Sequence, residues 1–435
     1  MTRRAWWLVV LNLVLPGSVQ VLAGNRRLGR LGLVSTFLLV IVAVVAAVLA
    51  VVARAVLLGI ATNVIALTIA QVVLVYFVAL WIVLTFDTLR IARLVRAAPA
   101  ARPFIAVLTV AALVAVAGVA GYGAVVVGST RSVLVDVFGG GQMAAPVDGK
   151  YNIMLLGGDA ASSRVGLRPD SISVISIDAA TGATTTIGIP RNLQRAPFSA
   201  GSPMLGAYPN GYDCGVDCLI SYLYTYGEGH PELYPDAEAD GTEPGIEAMR
   251  DAVEGVTGLT IQYFVLIDMG GFKDLVNALG GIDIDVKERL PIGGEAQADG
   301  SIVGVTGWIE KGQQHMNGRT ALWYARSRQS TSDYDRMRRQ REVQTAIIQQ
   351  FSPSNVLTKF QGVAKAGTRI IKTDIPQGML PGFVDIATKA RGQKMSDVEL
   401  VPKSGVDVIH PDIEAIHATI EAALAKAAKD AATAD

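Results

Sequence analysis

Three uncharged apolar runs, at residues 31–52, 62–86 and 104–127, occupy most of the first third of this 435-residue chain. Each is close to the ~20 residues that an α-helix needs to cross the hydrocarbon of a bilayer, so all three are predicted to span. The loop arginines set the direction. Arg26, Arg27 and Arg30 precede the first run, Arg54 alone follows it, and Arg90, Arg93, Arg96 and Arg102 separate the second from the third. Because basic loops stay in the cytoplasm, the predicted path is in, out, in, out, and everything after about residue 128 lies outside. Charge divides at the same place. Residues 1–128 hold ten Arg, one Asp, no Lys and no Glu, a net of +9, and with 38 basic and 38 acidic side chains overall the remaining residues must carry −9. The positive charge therefore sits in the apolar segment, which argues against a basic nucleic-acid-binding domain and against a purely cytosolic enzyme.

The stretch 5–22 is also apolar, but Arg3, Arg4, Arg26 and Arg27 flank it and Pro16-Gly17 interrupts it. It reads as a re-entrant or interfacial hairpin, with a fourth span as the alternative. No small-residue cleavage site separates it from the later spans, so it is not read as a cleaved signal peptide. Residues 129–149, with Gly139-Gly140-Gly141 and Pro146, suit a flexible stalk, and the exported domain is expected at 150–435. The chain's two cysteines stand four apart in Asp213-Cys214-Gly215-Val216-Asp217-Cys218. With no second pair or nearby His to complete a metal site, a local Cys214–Cys218 disulfide fits an oxidising compartment.

Within the exported part, 151–156 is a short apolar run ending at Gly157-Gly158-Asp159. The β-branched runs 171–178 and 183–189 are split by the turn Ala180-Thr181-Gly182. Helical patterns at 243–255 and 271–279 alternate with predicted strands at 262–268 and 282–286. The expected fold is α/β, a mixed central sheet covered by helices, preceded by an all-α transmembrane anchor.

No G-x-S-x-G, H-E-x-x-H or G-x-x-x-x-G-K-[ST] occurs, and the histidines at 230, 315, 410 and 417 are scattered. Carboxylates and arginines carry the chemistry instead. Asp159 ends one strand and Asp170 precedes the next, and strand ends are where α/β sheets build sites. Two carboxylates there suit Mg²⁺, which takes one or two carboxylates plus substrate phosphates; turn capping is the competing reading for each. Arg164, Arg168 and Arg191 follow closely, and a second group lies in 321–328. Taken as a strand, that run puts Arg326 and Arg328 on one face. A helix over 333–350 places Arg336, Arg339, Gln340 and Val343 on one stripe. Guanidinium groups grip phosphate oxygens in bidentate fashion, so this convergence points to a pyrophosphate. Arg338, Arg339 and Arg341 are assigned to structural Arg–Asp pairs outside the site, with Arg341 expected at the surface.

Six blocks occur in order: Tyr151-Asn152-Ile153-Met154-Leu155-Leu156-Gly157-Gly158-Asp159, Arg168-Pro169-Asp170-Ser171, Ile189-Pro190-Arg191-Asn192, Leu279-Gly280-Gly281-Ile282-Asp283, Tyr324-Ala325-Arg326-Ser327-Arg328 and Arg339-Gln340. Together they resemble the ordered motifs of the LytR-CpsA-Psr (LCP) family. The resemblance implies a bacterial, membrane-anchored, wall-facing enzyme that moves a glycopolymer from a polyprenyl (pyro)phosphate carrier to peptidoglycan. It further implies that Asp159 and Asp170 bind Mg²⁺ and that Arg168, Arg191, Arg326, Arg328 and Gln340 hold the head group, with Arg164 beside them; Arg336 joins these pyrophosphate candidates from its place on the helical stripe. The chain departs from the pattern at Ala160, where many relatives have Arg, at Asn192, where many have Asp, and in its multi-pass anchor. The expected reaction is attack of a wall hydroxyl on the glycan-bearing phosphorus, with Asp159, Asp170, Arg168 and Arg191 as catalytic groups. The competing readings are a non-catalytic receptor for lipid-linked polymer and a polyprenyl-pyrophosphate hydrolase.

Overall fold

The structure is a computed structural model that describes residues 2–96, 98–138, 141–158, 168–297, 301–327, 332–350, 371–391 and 393–433. It divides into two compact units, Met1–Ser132 and Val133–Asp435.

The first unit contains helices α1 (Thr2–Val14), α2 (Ser18–Ala23), α3 (Arg26–Val52), α4 (Arg54–Ala61), α5 (Val64–Ala92) and the start of α6 (Ala101–Phe138). Among the described residues, α3, α5 and α6 are long and apolar enough to cross a membrane. The stretch 5–22 forms two helices broken at Pro16-Gly17, where Gly17 adopts φ 95°. A Cβ on Gly17 would stand 2.5 Å from the Gly29 carbonyl oxygen, so the glycine lets the turn press against α3. Gln20, fully buried, donates to the Leu84 carbonyl and to Thr88 Oγ1 on α5.

Residues 129–149 differ from the expected stalk. Helix α6 continues to Phe138, because the first Gly or Pro past Gly128 is Gly139.

In the second unit, β1 (Lys150–Gly158), β2 (Pro169–Asp178), β3 (Thr184–Ile189), β4 (Tyr263–Asp268), β9 (Ile371–Thr373) and β10 (Ser396–Glu399) form one sheet in the order β10-β3-β2-β1-β4-β9. Parallel pairs β10/β3 and β1/β4 are mixed with antiparallel ones, as a mixed sheet requires. Helices α7 (Leu223–Gly229) and α8 (Pro244–Thr257) precede β4, and α9 (Met269–Leu279) follows it. Strand β5 (Ile282–Val286) does not join the main sheet; it pairs with β8 (Gly312–Met316), while β6 (Leu290–Ala296) pairs with β7 (Ile302–Ile309). Then come α10 (Gly318–Arg326), α11 (Asp333–Gln350), α12 (Leu380–Ala390) and α13 (Ile413–Ala432).

Alternation along the strands sorts the side chains. Met154, Leu156, Phe264 and Leu266 enter the main core with residues of α8 and α13. Leu155, Val265 and Ile267, at the intervening positions, face a cavity that α9, α10 and α11 also line. Those helices share a separate apolar cluster with β5 and β8.

Candidate active site

The cavity holds about 630 Å³ and is largely apolar, with Val265 and Ile267 from β4, Phe272 and Leu275 from α9 and Val343 and Ile347 from α11 in its walls. Its polar lining includes Asp170, Arg191, Asp268, Arg326, Arg336, Gln340 and Gln344.

A break in the β1–β2 ladder aims Asp170. Gly157 pairs with Ser171 and Gly158 with Pro169, so the register skips Asp170 and leaves it as a one-residue bulge. A bulge turns its residue out of the alternating pattern, which is how a strand can present a carboxylate beside the apolar wall. Arg191, just past β3, donates through Nη1 to Asp170 Oδ1 at 2.6 Å, and its Nε lies 3.5 Å from Asp333 Oδ2. Arg336 donates to the Asp170 carbonyl and to Asp333, both at 3.2 Å, and is 3% exposed. Two carboxylates and two guanidinium groups thus interlock across β2, the loop after β3 and α11.

The segment 321–328 is not a strand. Asn317 accepts from Thr320 N at 3.0 Å and caps α10, and Ala321, Tyr324 and Ala325 are buried at helical spacing. Gly318 approaches Lys273 so closely that a Cβ would lie 2.0 Å from its carbonyl oxygen. Arg326 therefore reaches the cavity from the last turn of a helix, with its guanidinium 6.0 Å from the Trp323 ring centroid, and not from a shared strand face with Arg328. Arg328, Asp159 and Arg164 lie outside the described residues. Arg168 is exposed and does not line the cavity; its guanidinium sits 4.4 Å over the Tyr222 ring.

Helix α11 has the expected bounds, and its arginines divide by direction. Arg339, 1% exposed, donates Nε to the Tyr324 carbonyl at 3.0 Å and Nη2 to the Ser327 carbonyl, closing the C-terminus of α10. Burial draws its pKa down. Arg341 is buried against Gly188 and pairs with Glu399, so it is not a surface residue; burial pulls its pKa down to about 10. Arg338 lies 3.7 Å from both Glu288 and Asp335.

Asp333 was not among the candidates, although an acid in the first turn three residues before Arg336 is an available signal. Gln344, whose Nε2 donates to Ser173 Oγ at 3.1 Å, was missed as well; its signal is the helical stripe one turn past Gln340. Cys214 and Cys218 are joined in a disulfide with Cα atoms 5.3 Å apart. Among the described residues no group of three or more His, Cys, Asp or Glu converges as a metal cage. A single bulge carboxylate beside arginines is nonetheless compatible with Mg²⁺, which completes its shell with water and substrate phosphate oxygens.

Residues 135–421 match the model of the LytR_cpsA_psr family. The chain is 31% identical over 127 residues to the polyisoprenyl-teichoic acid--peptidoglycan teichoic acid transferase TagV of Bacillus subtilis (strain 168), a match covering 29% of this chain and 31% of that protein. It is 28% identical over 233 residues to the transferase TagU of Bacillus anthracis (strain CDC 684 / NRRL 3495), which covers 53% of this chain and 62% of that one. The chain spans less than two thirds of the length of these curated relatives. The crystal structure of B. subtilis TagV aligns over 65% of this chain and 98% of its own at 20% identity, with a TM-score of 0.46. Since the family model covers more than half of its residues, the chain belongs to the LytR_cpsA_psr family.

Proposed function

We propose that this protein is a phosphotransferase that moves a glycopolymer from a polyprenyl (pyro)phosphate carrier to a hydroxyl of peptidoglycan. The observation that carries the reading is the amphiphilic cavity, apolar along Val265, Ile267, Phe272 and Val343 and charged at Asp170, Arg191, Arg326 and Arg336. A prenyl diphosphate has the same division. Relatives named as teichoic acid transferases support the reading. So does the arginine asymmetry around α3, α5 and α6, which orients a multi-pass anchor with the second unit outside the cell membrane, facing the wall.

In this mechanism Arg191, Arg326 and Arg336 hold the diphosphate through charge-assisted hydrogen bonds, while the apolar walls seat the prenyl chain. Asp333 keeps Arg191 and Arg336 oriented. The wall hydroxyl oxygen attacks the phosphorus attached to the glycan, the bond from that phosphorus to the bridging oxygen breaks, and polyprenyl phosphate leaves with the electron pair as the hydroxyl proton is released. Alignment and charge neutralisation supply most of the rate. Mg²⁺ held by Asp170, with Asp159 as the second candidate ligand, would add positive charge against the diphosphate oxygens.

The test is the full chain in detergent with a polyprenyl-diphosphate-linked glycan, with and without peptidoglycan and with and without a chelator. Acceptor-dependent transfer that chelation suppresses is expected. Glycan release into water without acceptor would identify a hydrolase, and donor binding without turnover a receptor.

A further inference from the structure

Among the described residues two carboxylates line the cavity, and their surroundings differ. Asp170 is paired with Arg191 at 2.6 Å, whereas Asp268, the residue that ends β4, forms no ion pair with any described residue. The side-chain hydrogen bond that Asp268 does make is local. Its Oδ1 accepts from Gly271 N at 2.8 Å and caps α9, which leaves Oδ2 without a partner among the described residues. A cap alone does not need a carboxylate. Asn25, Asn63 and Asn317 cap α3, α5 and α10 through the same kind of bond, and Asp412, the acid that caps α13, stands exposed. Asn and Asp cap equally well, but a partly buried carboxylate beside apolar walls loses more hydration than an amide does, a cost that the positive end of α9 offsets only in part. A charge kept there without a counterion fits a hydrogen-bond donor that comes from outside the chain.

Strand register places Asp268 within the site. Gly158, the last residue of β1, pairs with Asp268 on one side and with Pro169 on the other. Neighbouring strands lie ~4.8 Å apart, so Asp268 and the Asp170 bulge flank the end of β1 at two strand spacings, roughly 10 Å. Arg191 and Arg336 gather on the Asp170 side, through their bonds to its carboxylate and its carbonyl. We propose that Asp268 binds the acceptor: its free Oδ2 takes the hydrogen bond of the incoming wall hydroxyl and so turns a lone pair of that oxygen toward the phosphorus. The inference rests on the functional reading above and names the group that receives the second substrate. An ionised carboxylate only accepts hydrogen bonds. The diphosphate brings oxyanions, which the arginines attract and Asp268 repels, whereas the acceptor brings the O–H donor that Oδ2 lacks.

The experiment uses the full chain in detergent with a polyprenyl-diphosphate-linked glycan as donor and soluble peptidoglycan strands as acceptor. It measures donor affinity, kcat/KM for the acceptor at saturating donor, the Mg²⁺ concentration that gives half the maximal rate, and melting temperature. Asp268→Asn keeps the cap and removes the charge. Its donor affinity should be unchanged or tighter and its melting temperature unchanged, while kcat/KM for the acceptor falls about tenfold to a hundredfold, the loss of one charge-assisted contact. Asp268→Ala, which removes the cap as well, should lose acceptor efficiency to the same extent and also melt lower. Weaker donor binding by Asp268→Asn would assign the residue to the diphosphate, and a raised Mg²⁺ requirement would assign it to the metal; either overturns the proposal. A melting temperature for Asp268→Asn as low as that of Asp268→Ala would make the role structural and overturn it too. If wild type transfers no glycan, the functional reading itself fails; if wild type transfers and Asp268→Asn uses the acceptor equally well, only the acceptor role of Asp268 fails.

Discussion

Arg336 and Arg341 are five residues apart on α11 and serve different ends, because the helix turns one toward the cavity and the other toward Glu399 under Gly188. Arg341→Ala removes a buried guanidinium and leaves Glu399 without this counterion. It is expected to lower stability by on the order of 3 kcal/mol, read as a shift of the denaturant midpoint. The cavity arginines should behave differently. Arg326→Ala should weaken donor binding about tenfold to a hundredfold, the loss of one charge-assisted contact of ~1.5–3 kcal/mol, with little change in melting temperature. Arg326→Lys should recover little of it, since an ammonium cannot reproduce bidentate geometry. Asp170→Asn should suppress transfer while leaving donor binding measurable, because Arg191, Arg326 and Arg336 remain. Normal transfer by that variant, measured beside carrier binding, would rule out a role for the carboxylate charge. Asp170 and Arg191 were legible as candidates because charged residues beside strand ends are where α/β sheets build sites, and Arg336 because an arginine stands out on a helical stripe that also carries Val343. Asp333 was not, because its importance comes from touching arginines on two elements.

Among the elements, strands and helices with strong periodicity were legible. The hairpin at Ala180-Thr181-Gly182, strand β5 and helix α11 all lie where their patterns place them. The turn is held by Asp178, whose Oδ1 accepts from Ala180 N, Thr181 N and Thr181 Oγ1. Burial opposes ionisation of Asp178, but these bonds together with Lys150 outweigh it and hold its pKa below the ordinary 3.8. A depressed carboxyl pKa stabilises the fold above the unfolded value, and that stabilisation disappears as pH falls through the folded value. Asp178→Ala should therefore cost roughly 1 kcal/mol at pH 7, and its gap from wild type should narrow below pH 3.8, as urea unfolding at pH 7 and pH 3 would show. Sequence pattern misassigned helix α10, as it did the last turns of α6. The aromatic pair Trp323-Tyr324 and the alternating arginines imitate a strand, whereas the Asn317 cap and the carbonyls that Arg339 closes favour a helix.

At the scale of the whole molecule, orientation is the property on which a wall-directed function depends. Reporter fusions at Ala97 and Val147 should give opposite sidedness, and finding both in the cytoplasm would remove the proposed acceptor from reach. The anchor helices, the mixed α/β class and the family motifs were determined by the sequence itself, because each rests on local hydrophobic period, turn chemistry or short blocks of residues. The site was decided only by tertiary structure. The bulge at Asp170 exists in the pairing of β1 with β2, the Arg336 contact joins residues 166 apart, and the stacking of Arg168 on Tyr222 depends on a turn bonded to the Arg191 loop. Such contacts leave no periodic trace along the chain, since the direction of a side chain at a strand end or helix terminus is set by which distant element packs beside it.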